Sequence, residues 1–314
     1  MGALAQAVST VVERCLQVGA GETVLVIADP DRAQLGTALL DGARAAGGDA
    51  VLTIVPPNPA RGTEPPAPLA AALQACDVFI APCLPSLSHT TARKRANDGG
   101  ARGATMPGVN ADLLARLMSV DFDAMSARCH AVARLLDEAD EAHLECAHGT
   151  DLRLDLRERI GMPDDGDLSA AGAFGNLPCG EGFIAPAGAE GTIAASSLPG
   201  PGIVDEPVLL RVRDGRLESA EDSAAAAQYL AQLDAHGPLG RNLAELGVGT
   251  NDRATLTGNI LEDEKILGTA HVAFGASAAI GGTVTVPVHL DVVVVEPSLR
   301  IGSTRVLDAG RYLL

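Results

Sequence analysis

A chain of 314 residues, 47% hydrophobic and 20% charged, is long enough for two domains of ordinary size and apolar enough to build their cores. Lys and Arg number 23 against 40 Asp and Glu, a formal net charge of −17, so most of the surface repels a polyanion such as DNA. Aromatic residues make up only 2%, with no Trp, which argues against a stacking platform for single-stranded nucleic acid.

The opening "MGALAQAVSTVVERCLQVG" has the apolar spacing of an amphipathic helix, without the basic start and unbroken apolar core of a signal peptide. "ETVLVIAD" (22–29) reads as a strand, and "DRAQLGTALLDGARAAGG" after it as a helix ending in Gly-Gly. "AVLTIVP" is a second strand, "APLAAALQAC" a second helix, "DVFIAPCLP" a third strand and "GARGATMPG" a short fourth. Helices follow around Asn110 to Met118 and Asp123 to Asp140. Strands alternating with helices predict a parallel sheet flanked by helices. The first strand is not followed by G-x-G-x-x-G or a P-loop, so no nucleotide site is expected. The basic cluster "SHTTARKRANDGGAR" (88–102) reads as an exposed helix face.

From about Ala142 the texture changes to alternating or apolar strands separated by Gly and Pro: "AHLECAHGTDLRLDL", "EGTIAASS", "PVLLRVRDGRLES" and "TVTVPVHLDVVVV", with one helix, "SAAAAQYLAQLDAH". Asp214-Gly215 between alternating residues is a type I′ hairpin signal. The expected organisation is an α/β domain over 1–141 and an α+β, mainly β, metal-binding catalytic domain over 142–314. No apolar run reaches the roughly 20 residues of a membrane span. Six cysteines (Cys15, Cys76, Cys83, Cys129, Cys146 and Cys179) without C-x-x-C spacing read as thiols of a reducing compartment. The expectation is a cytoplasmic protein with neither nucleic acid nor membrane as partner.

The second half carries the chemistry. In "TVTVPVHLDVVVVEPS" (283–298), read as one buried strand, His289 and Asp291 lie two apart and so point to the same side. A carboxylate there is either half of a buried ion pair or, with the imidazole, one of two ligands to a metal such as zinc, cobalt, iron or manganese. Glu181 in "GNLPCGEGFIAP" stands between Gly180 and Gly182, which let the backbone approach something closely. Glu245 is the one charge in an apolar stretch leading to Gly247 and Gly249, and His271 is enclosed by "GTA" and "VAFG" as either a core imidazole or a ligand. Glu262, Asp263 and Glu264 follow one another and read mainly as a solvated face. Three carboxylates and two imidazoles buried together demand compensation, which two divalent cations about 3.5–4 Å apart would supply.

The segments "GNLPCGEGFIAP", "EGT", "AELGVGTN", "TGNILEDEKILGTAHVAFG", "GG" and "HLD", in that order, resemble the metal-dependent aminopeptidase T (leucyl aminopeptidase, PepS-like) family, as do "SHTTAR" and "GARGATMPG" in the first half. The resemblance implies a hydrolase with a co-catalytic pair of zinc, cobalt or manganese ions held by Glu181, Glu245, His271, His289 and Asp291. It also implies a small peptide or amide substrate and a homodimer. Glu262 or Glu264 is the candidate general base. Two features depart from the family: its well-studied members are longer, and they carry a tyrosine a few residues beyond the "AH" histidine, where this chain reads "FGASAAIGG". The same superfamily resembles iron-dependent dioxygenases that open 2,5-dihydroxypyridine. Those share the closing His-x-Asp, have a histidine at the position of Glu245, and lack Glu181 and His271. Retention of both residues favours the two-metal hydrolase. A mononuclear iron ring-opening dioxygenase and a non-catalytic metal-binding protein are the alternatives.

Overall fold

The computed structural model describes residues 2–56, 63–84 and 86–314. The chain divides into two compact units, residues 1–120 with 166–179 and residues 121–165 with 180–314.

The first unit is built on a parallel sheet of strands β1 (Thr23–Ala28), β2 (Asp49–Ile54), β3 (Val78–Ala81), β4 (Arg102–Thr105) and β5 (Phe174–Asn176), in the order β2-β1-β3-β4-β5. Leu25, Ile27, Phe79 and Ala81 of this sheet pack with Leu69, Leu73, Ala92 and Ala96 from the helices Ala67–Ala75 and Thr91–Asp98. The helix Thr91–Asp98 forms where the basic cluster predicts one, but its Arg93 is buried and not on a solvated face. Arg93 Nε and Nη2 donate to the Ser88 carbonyl at 3.0 and 2.6 Å, and the guanidinium lies 3.9 Å above the Phe174 ring. The carbonyl and the π face offset part of the cost of taking this cation out of water, and burial still lowers Arg93 to about 10.

The second unit is a mainly β body around a thirteen-stranded antiparallel sheet, so the expected pairing of a helix-flanked parallel sheet with a mainly β half holds. The hairpin between strands Gly202–Arg213 and Arg216–Ala220 turns through Asp214 and Gly215, with φ of 49° and 68°, the two positive values of a type I′ turn. The unit differs from a single division after residue 141 in two ways. Helix Phe122–Glu138 belongs to the second unit, because its Val132 and Leu136 join the core that holds Leu144, Ile184 and Leu246. Residues 166–179 return to the first unit and supply β5. The apolar run near the C-terminus becomes a strand only from His289, because Pro287 has no N–H to give to a ladder; Val286 and Val288 are buried without being strand. Among the described residues no helix is long and apolar enough to cross a membrane.

Candidate metal centre

Four adjacent antiparallel strands of the second unit carry the candidate residues: β6 (Glu181–Ile184), β7 (Leu243–Gly249), β8 (Ala270–Gly275) and β9 (His289–Val294), in the order β9-β8-β7-β6. Their register decides which side chains meet. Glu245 pairs with Ala273 and Ala273 with Asp291; Gly247 pairs with His271, Gly249 with Glu181 and Gly275 with His289. Directly paired residues share a face, and so do residues two apart on a strand. Glu181, Glu245, His271, His289 and Asp291 therefore all stand on one face of the sheet. The opposite face carries Ile184, Leu246, Val248, Val272, Phe274, Leu290 and Val292, all in the hydrophobic core.

The glycines of these motifs make room. A Cβ on Gly247 would overlap the His271 imidazole, and one on Gly249 would overlap the Ile266 carbonyl. A Cβ on Gly182 would come within 2.7 Å of the Val132 side chain, so Gly182 is where helix Phe122–Glu138 closes on β6. Gly180 has a φ of 130°, a conformation that favours glycine.

Glu245 lies at the centre. Its Oε1 is 3.3 Å from His271 Nε2 and its Oε2 is 3.3 Å from His289 Nε2. Asp291 Oδ1 is 3.5 Å from His289 Nε2, and Glu181 Oε2 is 2.9 Å from His271 Nε2. His289 Nδ1 donates to the Ala276 carbonyl at 2.7 Å, which fixes the ring and turns Nε2 toward the carboxylates. Burial opposes charge on both imidazoles, yet Glu181 and Glu245 around His271, and Asp291 and Glu245 around His289, outweigh it and raise both well above the usual imidazole range. Burial likewise opposes charge on Glu245, but the two imidazoles hold it down at about 2. This is a pocket whose carboxylates call for positive charge.

Two groups offer donor atoms that all lie within 4.8 Å of one another: Glu181, Glu245 and His271, and Glu245, His289 and Asp291. Imidazole nitrogen with carboxylate oxygen is a donor set for divalent zinc, manganese or iron. One buried atom of the first group, His271 Nδ1, has no hydrogen-bond partner, and Glu181 Oε2 meets only the His271 Nε2 that Glu245 also faces, so the group holds more acceptor oxygens than its one imidazole can satisfy. The residues fit a metal.

Lys265, Glu264 and Asp164 complete the cluster, and the sequence pattern does not single out the lysine. Lys265 is 1% exposed, and its Nζ is 2.5 Å from Glu181 Oε1, 3.0 Å from Glu264 Oε1 and 3.4 Å from Asp164 Oδ2. Burial would raise Glu181, but the Lys265 ammonium and His271 bring it down to about 2. Burial dominates at Glu264, pushed up to about 8, and at Asp164, pushed up to about 7.

The reading of Glu262, Asp263 and Glu264 as a solvated face is corrected, since all three are buried. The first two hold the loop that precedes them. Glu262 Oε1 accepts from the Thr255 N–H at 2.8 Å, and Asp263 accepts from the Thr257 N–H at 2.8 Å, the Gly258 N–H at 2.9 Å and Ser197 Oγ at 2.8 Å. Glu262 is thereby a loop anchor, and Glu264 is the candidate base that reaches the cluster. Asp263→Ala is expected to destabilise the protein by about 2 kcal/mol, because several buried donors lose their acceptor at once. A urea titration that moves the midpoint by an amount within error would contradict this.

A mainly β body presenting imidazoles and carboxylates on one sheet face defines a candidate metal-dependent enzyme. The family model for 2,5-dihydroxypyridine 5,6-dioxygenase (NicX) matches residues 3–313, and the chain belongs to that family. Among solved structures it shares its fold with 2,5-dihydroxypyridine dioxygenase from Pseudomonas putida KT2440, with a TM-score of 0.83 at 19% identity over 100% of this chain and 98% of the other. AmpT from Thermus thermophilus superposes with a TM-score of 0.71 at 18% identity, over 99% of both chains. No curated protein matches by sequence.

Family membership overturns the expectation of a hydrolase, aminopeptidase, metallopeptidase or protease. The dioxygenase and AmpT structures share this fold, so the fold by itself does not separate the two activities. The tyrosine absent from "FGASAAIGG" is the sequence feature that points away from the peptidase branch.

Proposed function

We propose that the chain is an iron-dependent dioxygenase that opens a dihydroxylated N-heteroaromatic ring, with 2,5-dihydroxypyridine as the first substrate to try. The observation that carries this reading is the convergence of Glu245, His289 and Asp291 within 4.8 Å, in a chain of the 2,5-dihydroxypyridine 5,6-dioxygenase family. His289 Nε2, Asp291 and Glu245 would hold the ion. Iron(II) at such a site, with coordination positions left open, supplies the redox centre for oxygen chemistry when bound.

The set carries one imidazole and two carboxylates, where the facial triad of non-haem iron oxygenases carries two imidazoles and one carboxylate. His271 stands beside it as the second imidazole, on the other oxygen of Glu245. The Ala276 carbonyl orients His289, and the apolar strand face behind the ligands keeps water from the back of the site. Glu264, which burial pushes up to about 8, is the carboxyl group placed to hold or release a proton beside the Glu181–Lys265 pair.

The test is anaerobic loading with iron(II), followed by addition of 2,5-dihydroxypyridine and air. Loss of the ring's ultraviolet absorbance with one O₂ taken up per ring, abolished by a chelator, is the expected result. An iron-loaded chain that consumes no oxygen with any dihydroxypyridine sinks the reading.

A further inference from the structure

The two donor groups share Glu245, and two ions held by such a pair would sit about 3.5–4 Å apart. The two ends of the cluster are nevertheless unlike. At one end, Glu245 and Asp291 pair with the imidazoles of His271 and His289, and among the described residues no Lys or Arg forms an ion pair with either. At the other, Glu181 already has a cation, Lys265 Nζ, at 2.5 Å from Oε1.

That cation is built in. The Lys265 side chain is 1% exposed. Its backbone is tied on both sides: the Lys265 N–H donates to the Glu262 carbonyl and the Lys265 carbonyl accepts from the Asn251 N–H, each at 2.9 Å. Glu264 and Asp164 turn their oxygens to the same ammonium, at 3.0 and 3.4 Å, and neither belongs to a metal-competent group. A divalent ion on Glu181 Oε2 would bind at roughly 2.0–2.2 Å from that oxygen. It would then face a fixed ammonium on the same carboxylate group, in a pocket too dry to screen the repulsion.

We infer that Lys265 takes the place of a second metal ion, so that the cluster accepts one divalent cation, at Glu245, His289 and Asp291. This rests on the iron site proposed above, but it concerns the number of ions and not the reaction. Lys265 is on this account a positioning residue that sets metal stoichiometry, and Glu181 serves the lysine and not the metal.

The experiment is anaerobic equilibrium dialysis of the full chain against iron(II), repeated with cobalt(II), with bound metal read per chain by elemental analysis. The wild type is expected to hold one ion, Lys265→Arg one, and Lys265→Met two. Two ions in the wild type, or a folded Lys265→Met chain that still stops at one, overturns the inference. Because Lys265→Met leaves three buried carboxylates without their cation and the variant can fail to fold, Glu181→Gln provides a second arm. It is expected to keep one ion and to lose less than about 100-fold in affinity, the most that groups which only support ligands typically cost. A loss of affinity above about 100-fold in Glu181→Gln overturns the inference. A wild type that binds one ion but opens no ring would sink the proposed reaction and leave the stoichiometry standing.

Discussion

Replacing His289 with alanine is expected to strip the chain of its metal and abolish oxygen-coupled ring opening. The imidazole is the one nitrogen donor in the group formed with Glu245 and Asp291. Its orientation is also the best defined, because Nδ1 is held by the Ala276 carbonyl at 2.7 Å. Losing a residue that merely supports a ligand costs about 10–100-fold in metal affinity, so losing the ligand should cost at least about 100-fold. The same change takes a counter-charge from Glu245 and Asp291, whose carboxylates lie 3.3 and 3.5 Å from His289 Nε2. Breaking a buried charged pair from one side costs about 3–5 kcal/mol, so the variant should also melt earlier than wild type. Metal content per chain, oxygen uptake and thermal unfolding measured on one preparation check all three consequences. A variant that keeps both its metal and its turnover would remove His289 from the site.

The second large effect is expected from one methyl group. Gly247 is paired in register with His271, and its missing Cβ is where the His271 ring lies. Alanine at 247 overlaps that ring, so either the imidazole swings away from Glu181 and Glu245 or β7 and β8 separate. Overpacking of this kind costs about 1–3 kcal/mol, and a buried imidazole pushed from its carboxylates adds the loss of a charged pair. The expected outcome is destabilisation of about 3 kcal/mol or more by urea unfolding. Metal affinity should also fall, because Glu245, which would bind the ion through the oxygen that faces His289 and faces His271 with the other, loses its brace. Alanine at neighbouring Gly249 fails for another reason, a clash with the Ile266 carbonyl, and makes a useful comparison because that strain falls on the loop carrying Lys265. A Gly247→Ala chain as stable as wild type, with unchanged metal affinity, would refute the packing argument.

Metal removal follows from the same physics. An ion that binds only the folded chain stabilises it by about 2.7 kcal/mol at a hundredfold excess over Kd, so chelator should lower the melting temperature and iron(II) restore it.

Much of this molecule is local in origin and could be read from the chain alone. Alternation with period two puts His289 and Asp291 on one side of a strand before any partner strand is known, and the same period separates them from Leu290 and Val292 in the core. Asp214-Gly215 announces its turn because few other residue pairs accept two positive φ angles. Glycines on either side of Glu181 announce a close approach, though not what approaches; that is helix Phe122–Glu138, through Val132. The three-residue strand Phe174–Asn176 is too short to show a period, and its place beside Arg102–Thr105 depends on residues 166–179 rejoining the first unit. The tertiary structure alone decides which charges are buried and what neutralises them. Glu262, Asp263 and Glu264 read as a solvated acidic run, because the Thr255 and Thr257 donors of the loop, the remote Ser197 hydroxyl and the Lys265 ammonium meet them only in the folded chain. Glu181 and Lys265 are 84 positions apart. Sequence spacing sets the face a side chain takes, whereas the electrostatics of that face depend on distances between remote segments, which only the folded chain defines.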